Sequence, residues 1–189
     1  MKPVFTTILL ILLAIHFNQA QNINQEFSKD GIRPYLLGEI NKKGLTAGNY
    51  NSWFEKGYRN YEPNQDWIDK IVKPLKAFEI VVFLGTWCGD SRREVPRFYK
   101  LLESINYPMN QLTVIAVSRE PGIYKQSPNH EEKGLNIQRV PTFIFHKNGR
   151  EVNRIIESPV KSLEEDMYSI IYDNYVPKYH TLVKNDKFN

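Results

Sequence analysis

The spacing of apolar positions changes partway along the chain, from a helical period to unbroken strand-like runs. Over 49–61, Trp53, Phe54 and Tyr58 recur at near-helical spacing, and Asn51 or Ser52 can cap a short helix. Trp67, Ile68, Ile71, Val72 and Leu75 form a second stripe, which predicts a helix over 66–78 that Pro74 ends or kinks. Ile80-Val81-Val82-Phe83-Leu84 then runs without a polar interruption and is rich in β-branched residues, as in a strand buried on both faces. A helix is expected from about 91 to 105 and a second buried strand over 112–117. Residues 118–138 read as a long polar connection with a short helical piece near 129–133. Two further strands, 143–146 and 152–156, flank Lys147-Asn148-Gly149-Arg150, and Asn-Gly favours a hairpin because both positions tolerate positive φ. Ser158-Pro159 opens a last helix with Leu163, Met167, Ile170 and Ile171 on one face. The polar, glycine-bearing stretch 21–48 reads as loop or weakly ordered chain with an apolar patch at 35–37.

Strand, helix, strand, connection, hairpin and helix in that order imply a parallel pair joined by a right-handed crossover, with antiparallel strands added later. The expected class is α/β, with a mixed central sheet, helices on both faces and a helical N-terminal extension. The chain divides into 1–20, an extension 21–63, a main domain 64–175 and a C-terminal tail 176–189.

Residues 1–20 have the pattern of a secretory signal. Lys2 gives the positive start, the strongest apolar stretch is 8–15, and Ala20 offers a small residue before the polar 21–24. Asn18 departs from the usual small residue before the cut, which leaves the cleavage point open and an uncleaved anchor as the alternative. The apolar stretch is short beside the about 20 residues of a membrane span, so no stable span is expected once the signal is removed. The expected location is the periplasm of an exporting cell.

Composition narrows the classes further. With 41% hydrophobic and 24% charged residues, the 189-residue chain can build a soluble core. The net charge of +4 arises from 25 Lys and Arg against 21 Asp and Glu, interspersed, with no basic run longer than two. That distribution argues against nucleic acid, whose phosphates need clustered cations. His130, His146 and His180 are far apart in sequence and have no cysteine partners, so no metal set is expected. A single cysteine, Cys88, excludes an intrachain disulfide and leaves an exported thiol that must be protected, used or recycled.

The residues around that thiol are distinctive. Trp87-Cys88-Gly89 follows a buried strand and opens a helix, Pro96 lies eight residues after the cysteine, and Val140-Pro141-Thr142 precedes a later strand. Together these resemble the active-site segment, the helix-kinking proline and the cis-proline loop of the thioredoxin superfamily. The resemblance covers about 64–175, and the mature chain also resembles exported thioredoxin-like proteins of the Bacteroidetes type. It implies a thioredoxin-like fold. Two departures occur together: the second cysteine of the usual Cys-x-x-Cys is Ser91, and the buried aspartate six residues before the first cysteine is Val82. A buried carboxylate with no second thiol to deprotonate would carry a desolvation penalty without a use.

The resemblance implies a monothiol thiol–disulfide exchange protein with Cys88 as the nucleophile. Ser91, one turn on, is expected to donate to the sulfur, or else to serve only the helix start. Unpaired backbone N–H groups at the helix N-terminus favour the Cys88 thiolate, as do Arg92 and Arg93, while Asp90 opposes it. Trp87, Gly89, Asp90, Val140, Pro141 and Thr142 are expected to form the substrate surface, with Trp87 shielding the sulfur and the cis-Pro141 backbone taking an extended segment. The partners implied are a cysteine-containing protein or small thiol and an external thiol reductant, with no cofactor. The competing reading is a redox-inactive interaction module. Peroxide reduction fits less well, because Gly85-Thr86-Trp87-Cys88 does not supply the Thr-x-x-x-Cys spacing. Ser118-Arg119-Glu120 after the second strand either lines the site or is surface loop.

Overall fold

A computed structural model describes residues 23–180; segment 1–20, with the expected signal, and 181–189 of the tail lie outside the described residues. Six strands form one sheet: β1 (Gln25–Lys29), β2 (Ile32–Ile40), β3 (Glu79–Leu84), β4 (Leu112–Ala116), β5 (Thr142–Lys147) and β6 (Arg150–Ile156). Their spatial order is β1-β2-β4-β3-β5-β6. β3 and β4 pair in parallel, with Val82 opposite Val114, and every other neighbouring pair is antiparallel. Among the described residues five α-helices accompany the sheet: α1 (Lys42–Leu45), α2 (Asn51–Arg59), α3 (Gln65–Ile71), α4 (Gly89–Ser104) and α5 (Leu163–Ile171). The mixed-sheet α/β class expected from the pattern is the one observed.

β3 shows why the sheet centre reads as continuous hydrocarbon. Ile80, Val82 and Leu84 enter a large cluster on one side, while Val81 and Phe83 enter a smaller one on the other. Successive side chains of a strand point to opposite faces, so a strand covered on both has no position to spare for polarity. Val114, Ala116, Phe143 and Phe145 join the large cluster; Ile115, Val117 and Ile144 join the small one.

All the helices serve the large cluster, through residues such as Phe54, Ile71, Phe98, Leu102 and Met167. The second face has a different cover from the helix expected there. The connection 118–141 forms turns, including over 129–133, and lays Leu135 and Ile137 onto the small cluster. Polar bonds hold it down: Ser127 N–H and Oγ–H both donate to Glu132, and Arg154 donates to the Leu135 carbonyl at 2.7 Å.

Of the stretch 21–48, the described part, 23–48, is more ordered than its composition suggests. Within it, β1 and β2 make a hairpin around Asp30 and Gly31, with Gly31 at φ +74°. β2 then pairs with β4, with Glu39 opposite Ile115. Burial of Leu36 and Ile40 fixes its register. The helical half of the extension packs on α4 where Gly57 meets Pro96; a Cβ at Gly57 would lie 2.9 Å from the proline ring. Pro96 sits inside α4, where it cannot supply the usual backbone donor. α3 stops at Ile71 and a tight helical turn begins at Pro74, as the proline requires. α5 starts later than expected. Its cap is Ser162, whose side chain accepts from Glu165 N–H at 3.1 Å, and Asp166 takes the N–H groups of Val160 and Lys161.

Candidate functional site

The centre of the sheet delivers the thiol. β3 ends at Leu84, and the chain turns so that Cys88 N–H donates to the Gly85 carbonyl at 2.8 Å. Cys88 is the N-cap of α4, with φ −85° and ψ 132°, and its carbonyl accepts the first helical bond from Arg92 N–H. The thiol therefore stands where a helix presents unpaired N–H groups and partial positive charge. It is a free, half-buried thiol. Because Phe83 lies opposite Thr142, the loop before β5 reaches the same end of the sheet. The Val140–Pro141 bond in that loop is cis, and Sγ–H donates to the Val140 carbonyl at 3.2 Å.

The sulfur opens onto a cleft of about 400 Å³. Trp87 and Tyr124 form one wall, with ring centroids 5.5 Å apart. Trp87 is fixed by its Nε1–H, which donates to the Val117 carbonyl at 2.9 Å. Lys125, Gln138, Arg139, Val140 and Glu157 complete the lining. Arg139 donates to Glu157 Oε1 at 2.8 Å, and Tyr179 donates to Glu157 Oε2 at 2.9 Å. Burial opposes the Glu157 charge, but these donors outweigh it and hold the carboxyl below its ordinary value. Burial, helped by Arg139, lowers the Lys125 ammonium below its ordinary value, while Cys88 and Glu157 act in the opposite direction.

The residues expected at the site divide into two groups. Cys88, Trp87 and Val140 line the cleft, with the buried cis-Pro141 directly behind. Thr142 is buried and its hydroxyl donates to the Arg139 carbonyl at 2.7 Å, so it braces the loop from beneath. Gly89 is exposed and Asp90 pairs with Arg93 at 2.8 Å; neither borders the cleft. Ser91 differs most from expectation. It is 0% exposed and its Oγ accepts from Gly85 N–H at 3.2 Å, and no hydrogen bond joins it to Cys88 among the described residues. Arg92 donates to the Thr86 carbonyl at 2.7 Å, and Arg93 serves Asp90 and Glu94. The cations lining the sulfur's cleft are instead Lys125 and Arg139.

Tyr124, Lys125, Gln138, Arg139 and Glu157 were not anticipated. Gln138 and Arg139 immediately precede Val140-Pro141 and could have been taken from that proximity. Tyr124 and Lys125 depend on how the connection folds back: Ser118 N–H donates to the Gln126 carbonyl and Lys125 N–H to the Ser118 carbonyl. Ser118 does not line the cleft but anchors this turn, with its hydroxyl 2.9 Å from that of Tyr35 on β2.

No protein-family model matches the chain. Individual relatives do. Thioredoxin Asp f 28 of Aspergillus fumigatus is 33% identical over 93 residues, which cover 48% of this chain and 76% of that protein. Thioredoxin H9 of Arabidopsis thaliana is 27% identical over 109 residues, 57% of this chain and 71% of the relative. Among solved structures, oxidized thioredoxin O2 from Arabidopsis thaliana aligns over 67% of this chain and 87% of its own, at 20% identity and a TM-score of 0.34. The chain belongs to the thioredoxin superfamily.

Proposed function

We propose that this protein is an exported monothiol thiol–disulfide exchange protein acting through Cys88. Thiol–disulfide chemistry in general follows from its family. The single observation that carries the monothiol reading is the placement of the chain's one cysteine: half-exposed, at the N-cap of α4, facing the Val140 carbonyl across an open cleft. Sγ loses its proton to solvent and attacks one sulfur of a substrate disulfide. The substrate S–S bond breaks as the Cys88–substrate S–S bond forms, and the second substrate sulfur leaves as thiolate. With Ser91 in place of a second thiol, release requires an external thiol or another cysteine of the substrate. Net electron flow is zero for isomerisation, and for adduct removal the external thiol is the reductant. The apolar stretch 8–15, followed by the small Ala20 before polar chain, supports export.

The test is a peptide carrying a small-thiol adduct, with excess low-molecular-weight thiol as reductant. The expected result is catalytic release by the parent and none by Cys88→Ala. Equal release by both, with partner binding retained, would replace exchange with a binding role. Recovery of a chain beginning near Gln21 outside the cytosol is the result expected for export; a cytosolic full-length chain would contradict it.

A further inference from the structure

We propose that Lys125 is a specificity-determining residue that selects disulfides carrying a carboxylate close to the attacked sulfur. This rests on Cys88 being the exchanging thiol. The charges lining the cleft are Lys125, Arg139 and Glu157. Arg139 and Glu157 compensate one another at 2.8 Å. Tyr179 occupies the remaining Glu157 oxygen, and its ring lies 4.1 Å from the Arg139 guanidinium. Asp90 does not border the cleft; it pairs with Arg93 at 2.8 Å and adds a smaller electrostatic pull on Arg139, not on Lys125. Lys125 is the charge left over: it has no carboxylate partner among the described residues, and its Nζ donates to the Gln138 carbonyl at 2.5 Å. The Nζ also lies 4.7 Å from the Tyr124 ring centroid, so the ammonium is held between the Gln138 carbonyl and that ring, and the third of its N–H donors faces a substrate.

The backbone holds that ammonium in place. Lys125 adopts a left-handed conformation, φ +61°, between two hydrogen bonds that close the turn from Ser118 to Gln126. The Gln138 contact then ties the side-chain tip to the same loop that carries Val140. Partial burial and Arg139 disfavour the ammonium's charge while Cys88 and Glu157 favour it, and the same partial burial weakens solvent screening of that charge toward the cleft. A carboxylate beside the substrate sulfur meets a fixed cation at the moment the sulfur reaches Cys88. The exchange step itself is unchanged: one S–S bond forms, one breaks, and a thiolate leaves.

The test compares small disulfides of different charge on the reduced full chain. These are dithiobis(nitrobenzoate), which is anionic, dithiodipyridine, which is neutral, and cystamine, which is cationic. Each rate is normalised to that of a free small thiol. The parent should prefer the anionic reagent over the neutral one, and Lys125→Gln should reduce that preference about fivefold, the scale of one partly exposed ion pair. High salt should erase the preference in the parent and leave the variant unmoved. An anionic-to-neutral ratio unchanged in both Lys125→Gln and Lys125→Glu would overturn the inference. Failure of the folded parent to react with any reagent would instead strike the Cys88 reading. Peptide disulfides with Glu or Gln beside the cysteine separate the sources. A Lys125-dependent Glu preference supports a protein segment, and a preference confined to the small reagents supports a small thiol.

Discussion

Replacing Ser91 with Ala separates a structural hydroxyl from a chemical one. Ser91 is 0% exposed, and its Oγ receives the Gly85 N–H at 3.2 Å. The alanine variant leaves that buried N–H without an acceptor. An unsatisfied buried donor costs about 1–3 kcal/mol, so about 2 kcal/mol of stability should be lost. For a domain of this size about 1 kcal/mol corresponds to about 2–4 °C, which places the fall in Tm at about 4–8 °C. The sulfur's own hydrogen bond runs to the Val140 carbonyl and does not involve Ser91. Cys88 should therefore react with a neutral disulfide within about twofold of the parent rate, well under the about 1.4 kcal/mol that a tenfold change represents. Thermal unfolding and stopped-flow exchange on the same preparation decide the matter. A large loss of exchange rate with Tm unchanged would refute the assignment and return Ser91 to the chemistry.

Three further outcomes follow from the geometry. Gly85→Ala would set a Cβ 2.5 Å from the Trp87 ring, so it should displace the indole, weaken its bond to Val117 and shift tryptophan fluorescence; an unshifted spectrum would contradict this. Tyr35→Phe keeps the ring contact with Phe27 but removes the hydroxyl paired with Ser118, and should lower denaturant-unfolding stability by about 1 kcal/mol while speeding amide exchange at Lys125. Burial would raise the Glu132 carboxyl, but hydrogen bonds from Ser127 outweigh it and hold the group below its ordinary 4.5. Its stabilising effect is thus present above 4.5 and lost as pH falls through the lower folded-state value. The stability gap between parent and Glu132→Gln should close in that acid range; a gap independent of pH would contradict it.

The sheet's centre was legible because burial on both faces forces an unbroken apolar run, as in Ile80–Leu84 and again around Val114. The Asn148–Gly149 turn was legible for a local reason, since both residues adopt positive φ. The first hairpin was not. β1 is a mostly exposed strand, Gln-Glu-Phe-Ser-Lys, with no apolar alternation, and only the Asp30-Gly31 pair marked its turn. The thiol's position on a strand-to-helix junction could be read, but its charged surroundings could not. Arg92 and Arg93 are close to Cys88 in sequence, yet backbone and carboxylate partners take them elsewhere. Lys125 reaches the cleft only through the folded connection, which has no repeating pattern to read. Ser91 shows a related effect: helical spacing leaves both a bond to the sulfur and a place at the helix start open, and the Gly85 N–H decides where the hydroxyl points.

Whether the folded protein uses its thiol is tested most directly by intact mass after brief exposure to a neutral disulfide under native conditions. With one cysteine in 189 residues, any adduct reports Cys88 alone. The expected result is a single adduct, formed by the folded chain faster than by the same chain in denaturant, removed by excess thiol, and absent from Cys88→Ala. A folded chain that stays unmodified while the denatured chain is labelled would contradict the account.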